Sequence, residues 1–189
     1  FSTEDDLSIY LVPGEAPPNR LTGHKSHILK VMFLAAIARP RYDEARDCTF
    51  DGKIGIWPFV ESVVAQQGSI HHPAGTIERK PVGVTLATYK RFLLEKVIPA
   101  IKTKWPDRDR DIVIQQDGAS SHMEQKDPEF IAAGTAGNWN IITMLTQPAQ
   151  SPDTNQLDLT FFRALQSTQW NNGFAWEIDG LIAQVTPAY

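Results

Sequence analysis

The chain has 189 residues, 42% of them hydrophobic, which is enough for one domain with a real core. No apolar run reaches the ~18 residues of a membrane span, and the opening residues lack the basic-then-apolar pattern of a signal peptide. The single Cys48 excludes an internal disulfide and suits a reducing compartment, where it is expected as a small buried residue. The first residue is Phe1 and the chain ends on "TPAY", so both ends are expected to be cuts from a longer protein.

A net charge of −4 argues against a simple nucleic-acid-coating protein, but the charge is unevenly placed. Residues 1–110 carry 16 basic and 13 acidic side chains, a balance of +3, whereas residues 111–189 carry 2 and 9, a balance of −7. A basic half could meet a polyanion and an acidic half could hold cations; an ordinary solvated surface is the plainer reading.

In chain order, "IYLVPG" (9–14) reads as a short strand closed by a Pro-Gly turn. "HILKVMFLAAIARP" (27–40) is apolar on both alternating faces, the pattern of a central strand covered on both sides. "FDGKIGIWPFVE" (50–61) reads as a strand after a turn at Asp51-Gly52, and residues 65–80 as a polar loop or arm. In 84–105, Leu86, Tyr89, Leu93, Val97, Ala100 and Ile101 recur at helical spacing, with Thr85 as N-cap, Pro99 as a kink and Pro106 as the stop. "DIVIQQ" (111–116) reads as a buried strand. "DPEFIAAGTAG" (127–137) reads as a short helix stopped by Gly137, and "NWNIITMLT" (138–146) as a third core strand. A rigid loop leads to an amphipathic helix over 157–170 whose buried stripe is Leu157, Phe161, Ala164, Leu165 and Thr168. The tail is helical with an interruption at Gly180. Strands alternating with helices in the second half, after adjacent strands in the first, predict a single α/β domain over 1–189. Its mixed sheet carries helices on both faces.

Ligands of open α/β sheets gather at the carboxyl ends of strands, and Asp117 sits at such an end, in "DIVIQQDGASSH". Asp158 falls in the first turn of the last amphipathic helix, about 100° from Leu157 and so beside the buried stripe. Two hard oxygen ligands from different elements suit Mg²⁺ or Mn²⁺. The plainer roles are a turn former at Asp117 and a helix-dipole partner at Asp158. His122 could support such a site by contacting a phosphate or the metal shell, or could be a hydrogen-bonded loop histidine. Ser120 and Ser121 beside it lack the strand–elbow–helix context of a hydrolase nucleophile. His71-His72 has no further ligand at metal-site spacing.

"IQQDGASSH" followed by "QPAQSPDTNQLDLTFFRALQS" resembles the catalytic core of mariner-type DNA transposases of the DDE/D superfamily. The carrying residues are Gln115-Gln116-Asp117, His122, Ser151-Pro152-Asp153, Asn155 and Leu157-Asp158-Leu159. Forty residues separate Asp117 from Asp158, as in the plant and oomycete-like branch. "KVMFLAAIARPRYD", "FDGKIGIWPF", "PAGTIERKPV" and "VIPAIKTKWP" resemble the same family, so the likeness spans nearly the whole chain.

The resemblance implies a ribonuclease H-like fold with Asp117 and Asp158 as second and third catalytic carboxylates and ligands of Mg²⁺ or Mn²⁺, with His122 and Asn155 in support. It also implies transposon-end and target DNA as partners, a homodimer in the full-length protein, no membrane association and a nuclear location. Gly118 departs from the family's usual Asn. Phe1 matches the end of the family's Asp-Glu-Lys-Trp-Phe strand, so the first sheet strand is expected to be truncated and the first carboxylate to lie upstream. The activity implied is cut-and-paste strand cleavage and strand transfer, with this fragment inactive alone. The alternative is a decayed or co-opted remnant acting as a non-catalytic DNA-binding or interaction domain.

Overall fold

A computed structural model describes residues 30–68, 73–106, 111–141, 143–171 and 177–188, and the expected strand at 9–14 and the His71-His72 pair lie outside them. Strand β1 (Phe33–Ile37) pairs antiparallel with β4 (Lys53–Pro58). Between them, β2 (Arg41–Asp43) and β3 (Cys48–Phe50) form a hairpin. Its turn is closed by Asp43, whose Oδ1 accepts the N–H groups of Ala45 at 3.1 Å and Arg46 at 3.2 Å. Cys48 is exposed beside that turn, not buried as expected, because the hairpin end carries it clear of both core clusters. The expected turn at Asp51-Gly52 is present: Gly52 has φ +83°, and a Cβ there would lie 2.1 Å from the carbonyl oxygen of Ala38.

Strands β5 (Val60–Val64) and β6 (Ile77–Pro81) form a second antiparallel hairpin. The described residues of the expected 65–80 arm, 65–68 and 73–80, flank or belong to this hairpin, and Ile77–Lys80 are strand, not loop. The predicted long helix runs as α1 (Leu86–Phe92), a π turn (Leu93–Val97) and α2 (Ile98–Lys104). Thr85 caps it, its hydroxyl accepting the Thr88 N–H at 3.2 Å. Pro99 lacks an N–H and its ring crowds the preceding turn. The helix absorbs this by widening, with the Ile98 N–H bonding to the carbonyl of Leu93, five residues back.

Strand β7 (Val113–Gln116) pairs in parallel with β8 (Thr143–Thr146). The connecting helix α3 (Pro128–Thr135) is capped by Asp127, and Gly137 after it has φ +76°, in keeping with the expected stop. Lys102 donates to the carbonyls of Ala133 at 2.6 Å and Ala136 at 2.7 Å, fastening the end of α3 to α2. β7 is less buried than predicted: Ile112 and Gln116 are inside, but Val113 is 52% exposed. Its only strand partner among the described residues is β8.

A 3₁₀ turn (Pro152–Thr154) and a π turn (Leu157–Phe161) lead into α4 (Phe162–Asn171), and α5 (Ile178–Ala188) follows. The π turn adds a residue, which rotates everything after it by about 100°. The predicted stripe therefore shifts: Leu165 is buried and Leu157, Phe161 and Phe162 pack inward, whereas Ala164 and Thr168 are exposed. Gly180 does not interrupt α5, because the buried Leu181, Ile182 and Val185 outweigh the ~1 kcal/mol that a helical glycine costs.

Two apolar clusters flank the β1–β4 pair. Ala35 and Ile56, opposite one another in register, face Leu165, Leu181 and Val185. Leu34, Ala36 and Ile54 join the other cluster, with Tyr89, Leu93, Val97, Ile101, Phe130 and Met144. A bulge between Ala36 and Ile37 lets Ile54 leave the alternation that would place it beside Ile56. The architecture is mixed α/β with helices on both faces of this pair. The described strands form four two-stranded sheets, not the single mixed sheet expected.

Candidate functional site

Asp117 follows β7 directly, where the strand is anchored by Gln116. The Gln116 side chain is buried and donates through Nε2 to the carbonyl of Met123 at 2.7 Å, and the Gln116 backbone carbonyl accepts the Gln147 N–H at 2.8 Å. The stretch from Asp117 to His122 closes on itself. Asp117 Oδ1 accepts the Ala119 N–H at 2.9 Å, and the Ala119 carbonyl accepts the His122 N–H at 3.0 Å. His122 Nδ1 lies 2.7 Å from Asp117 Oδ1 and 3.0 Å from the Asp117 carbonyl oxygen. Asp117 is thus the turn former that its position allowed, yet its carboxylate remains 47% exposed.

Beneath this turn lies Tyr89, almost fully buried on α1, its ring stacked on His122 with centroids 4.2 Å apart and planes 25° from parallel. Burial, and then the negative charge of Asp117, push the tyrosine hydroxyl well above its ordinary range, so it stays protonated.

The loop after β8 is fastened to the same strand end. Gln115 Nε2 donates to the carbonyl of Thr154 at 3.2 Å, and the Gln147 side chain donates to the carbonyl of Ser151. Thr154 N–H closes the 3₁₀ turn on the Ser151 carbonyl at 3.1 Å. These bonds deliver Asn155 and Asp158. Asn155 Oδ1 accepts the Asp158 N–H at 3.3 Å while its Nδ2 donates to Asp158 Oδ2 at 2.6 Å, a reciprocal cap at the helix start. Asp153, expected as a turn residue, is exposed in the 3₁₀ turn.

A cavity of about 640 Å³ is lined by Asp117, His122, Asn155 and Asp158, and also by the apolar Ile114 and by Tyr89. All four sequence-predicted site residues therefore line one large cavity, which also extends along β1 to Trp105. The donor set is two carboxylates, each with one oxygen committed to the protein, Asp117 Oδ1 and Asp158 Oδ2, and the other without a hydrogen bond among the described residues. Hard, monodentate oxygen donors of this kind fit Mg²⁺ or Mn²⁺, which retain several waters beside one or two carboxylates. No group of three His, Cys, Asp or Glu side chains able to hold a metal occurs among the described residues. A second depression, on the β2–β3 hairpin, is lined by Asp43, Arg46, Cys48 and Lys104, but its Asp43 is spent on the turn.

Gln115 belongs to the sequence motif, but the supporting roles of Gln147 and Tyr89 were not read from the sequence. Gln147 stands just after β8, where an apolar run turning polar could have marked it. Tyr89 was indistinguishable from the helical core stripe to which it also belongs. Comparison with protein-family models, with curated proteins and with solved structures gives no match to this chain.

Proposed function

We propose that this chain belongs to the catalytic domain of a cut-and-paste DNA transposase of the DDE/D type, a metal-dependent phosphoryl transferase on a ribonuclease H-like scaffold. The observation that carries the reading is that Asp117, from a strand end, and Asp158, from a helix start, line one cavity with His122 and Asn155. The sequence pattern that resembles the mariner-type core joins the same four residues.

In this reading Asp117 and Asp158 hold Mg²⁺ or Mn²⁺ through their uncommitted oxygens. A bound metal pair supplies Lewis-acid stabilisation of the attacking and leaving oxygens of a phosphodiester. His122 fixes the Asp117 carboxylate, and Asn155 fixes that of Asp158. Arg39 and Arg41, which line the same cavity, offer positive charge to the DNA backbone. The resemblance implies a further carboxylate on a strand beside β7, and among the described residues β7 pairs with β8 alone.

The test is strand cleavage on transposon-end DNA with Mn²⁺. The 189-residue chain is expected to be inert. A longer polypeptide that supplies the further carboxylate is expected to nick, and Asp117→Asn in it to abolish nicking. Cleavage that survives Asp117→Asn would refute the assignment. A second reading, a non-catalytic DNA-binding remnant, is favoured by the Asn155 cap, which gives Asp158 a structural task needing no metal. DNA binding without nicking by the longer polypeptide would decide for it.

A further inference from the structure

We propose that Tyr89 is a positioning residue of the carboxylate centre: its ring is the platform that holds His122 against Asp117 and so fixes the direction of the carboxylate that faces the cavity. The inference rests on the metal-site reading of Asp117 given above.

The geometry leaves His122 few alternatives. One face of its imidazole lies on the Tyr89 ring at 4.2 Å. Its Nδ1 meets two oxygens of a single residue, Asp117 Oδ1 and the Asp117 carbonyl. Within the turn of residues 118–121, the Ala119 N–H also holds Asp117 Oδ1, at 2.9 Å, while Gly118 has open space around it, so His122 and this one amide share the task of fixing the carboxylate. The platform is rigid. Tyr89 is 4% exposed, lies one turn after the Thr85 cap, and sits in the main apolar cluster with Leu93 and Phe130. A ligand carboxylate is only as well placed as the group that orients it, and that group only as well as its own support. The ordered series is helix α1, Tyr89, His122, Asp117. Stacking needs the aromatic face, not the hydroxyl. Tyr89→Phe should therefore preserve the arrangement, and Tyr89→Leu, which keeps apolar bulk without a ring face, should lose it.

Two readouts separate this proposal from the metal reading. The first is metal-free: the His122 ring protons should be shifted upfield by the Tyr89 ring current and show NOEs to it in the wild-type chain. Both signatures should persist in Tyr89→Phe and vanish in Tyr89→Leu. The second is Mn²⁺ titration followed by paramagnetic broadening. Tyr89→Leu should weaken binding ~10-fold or more, as loss of an outer support does, while Tyr89→Phe leaves it unchanged. Absence of the stacking signatures in wild type overturns the proposal even if no variant folds. A folded Tyr89→Leu chain that binds Mn²⁺ as wild type does overturns it too. If stacking behaves as stated but wild type binds no Mn²⁺, the metal reading fails, and with it the part of the proposal that assigns positioning to a ligand.

Discussion

Asn155→Ala tests whether the helix start and the site are one construction. The substitution removes two bonds at once, the 3.3 Å cap on the Asp158 N–H and the 2.6 Å bond to Asp158 Oδ2. N-cap deletions cost ~0.5–2 kcal/mol, and the long cap bond on a solvent-facing turn points to about 1 kcal/mol. For a chain of this size that is a fall in Tm of roughly 2–4 °C, read by thermal unfolding in EDTA. Asp158→Asn should behave differently. The amide oxygen can still accept from Asn155, so Tm should stay near that of wild type, whereas Mn²⁺ binding should be lost with the charge. Asn155→Ala should keep the charge but weaken Mn²⁺ binding, because nothing then holds the Asp158 rotamer. An unchanged Tm in Asn155→Ala would refute the cap. Equal Mn²⁺ titrations of Asn155→Ala and wild type would refute the claim that Asn155 aims the carboxylate.

Other consequences follow from the scaffold that carries the site. Gly134→Ala would put a Cβ 1.9 Å from the carbonyl oxygen of Ile141, a clash with backbone, and should destabilise by at least the ~1–3 kcal/mol of ordinary overpacking in denaturant unfolding. The hydrogen bond from Lys90, 2.7 Å away, holds the Asp127 carboxyl below its usual range, with backbone N–H bonds from Phe130 and Glu129 adding to it. A carboxyl depressed by folding adds stability that is full above its unfolded pKa of about 3.9 and fades as pH falls through the lower folded value. Asp127→Asn, which keeps a capping side chain, should therefore lower Tm at pH 7, and the gap from wild type should close below about pH 4. A gap that widens in acid would show that Asp127 is not held as its anion.

Much of the local structure was legible because short-range chemistry dictates it. Thr85 and Asp127 announce helix starts through side chains that accept backbone N–H groups, and Gly52 and Gly137 mark backbone with positive φ. The two π turns were not legible. A π turn is a one-residue insertion whose cause, Pro99 in one helix, can be seen but whose position depends on packing. The exposed Ala164 and Thr168 are the result of that unseen residue. Val113 and Leu145 read as core because both β7 and β8 are apolar, yet strand composition does not say how many neighbours a strand finds. At the candidate site, Asp117 and Asp158 were readable from their places at a strand end and a helix start, His122 as a neighbour on the same loop, and Asn155 only through the family resemblance. That the two carboxylates share a site was expected as well, but the means was not: Gln115 and Gln147 tie the loop to the strand end.

The most direct test of the central claim is a Mn²⁺ titration of the 189-residue chain, followed by paramagnetic broadening of backbone amide signals. Weak, saturable binding should broaden residues around Asp117 and Asp158 together and disappear in Asp117→Asn. Identical titrations of wild type and Asp117→Asn, or broadening confined to one of the two carboxylates, would contradict the claim.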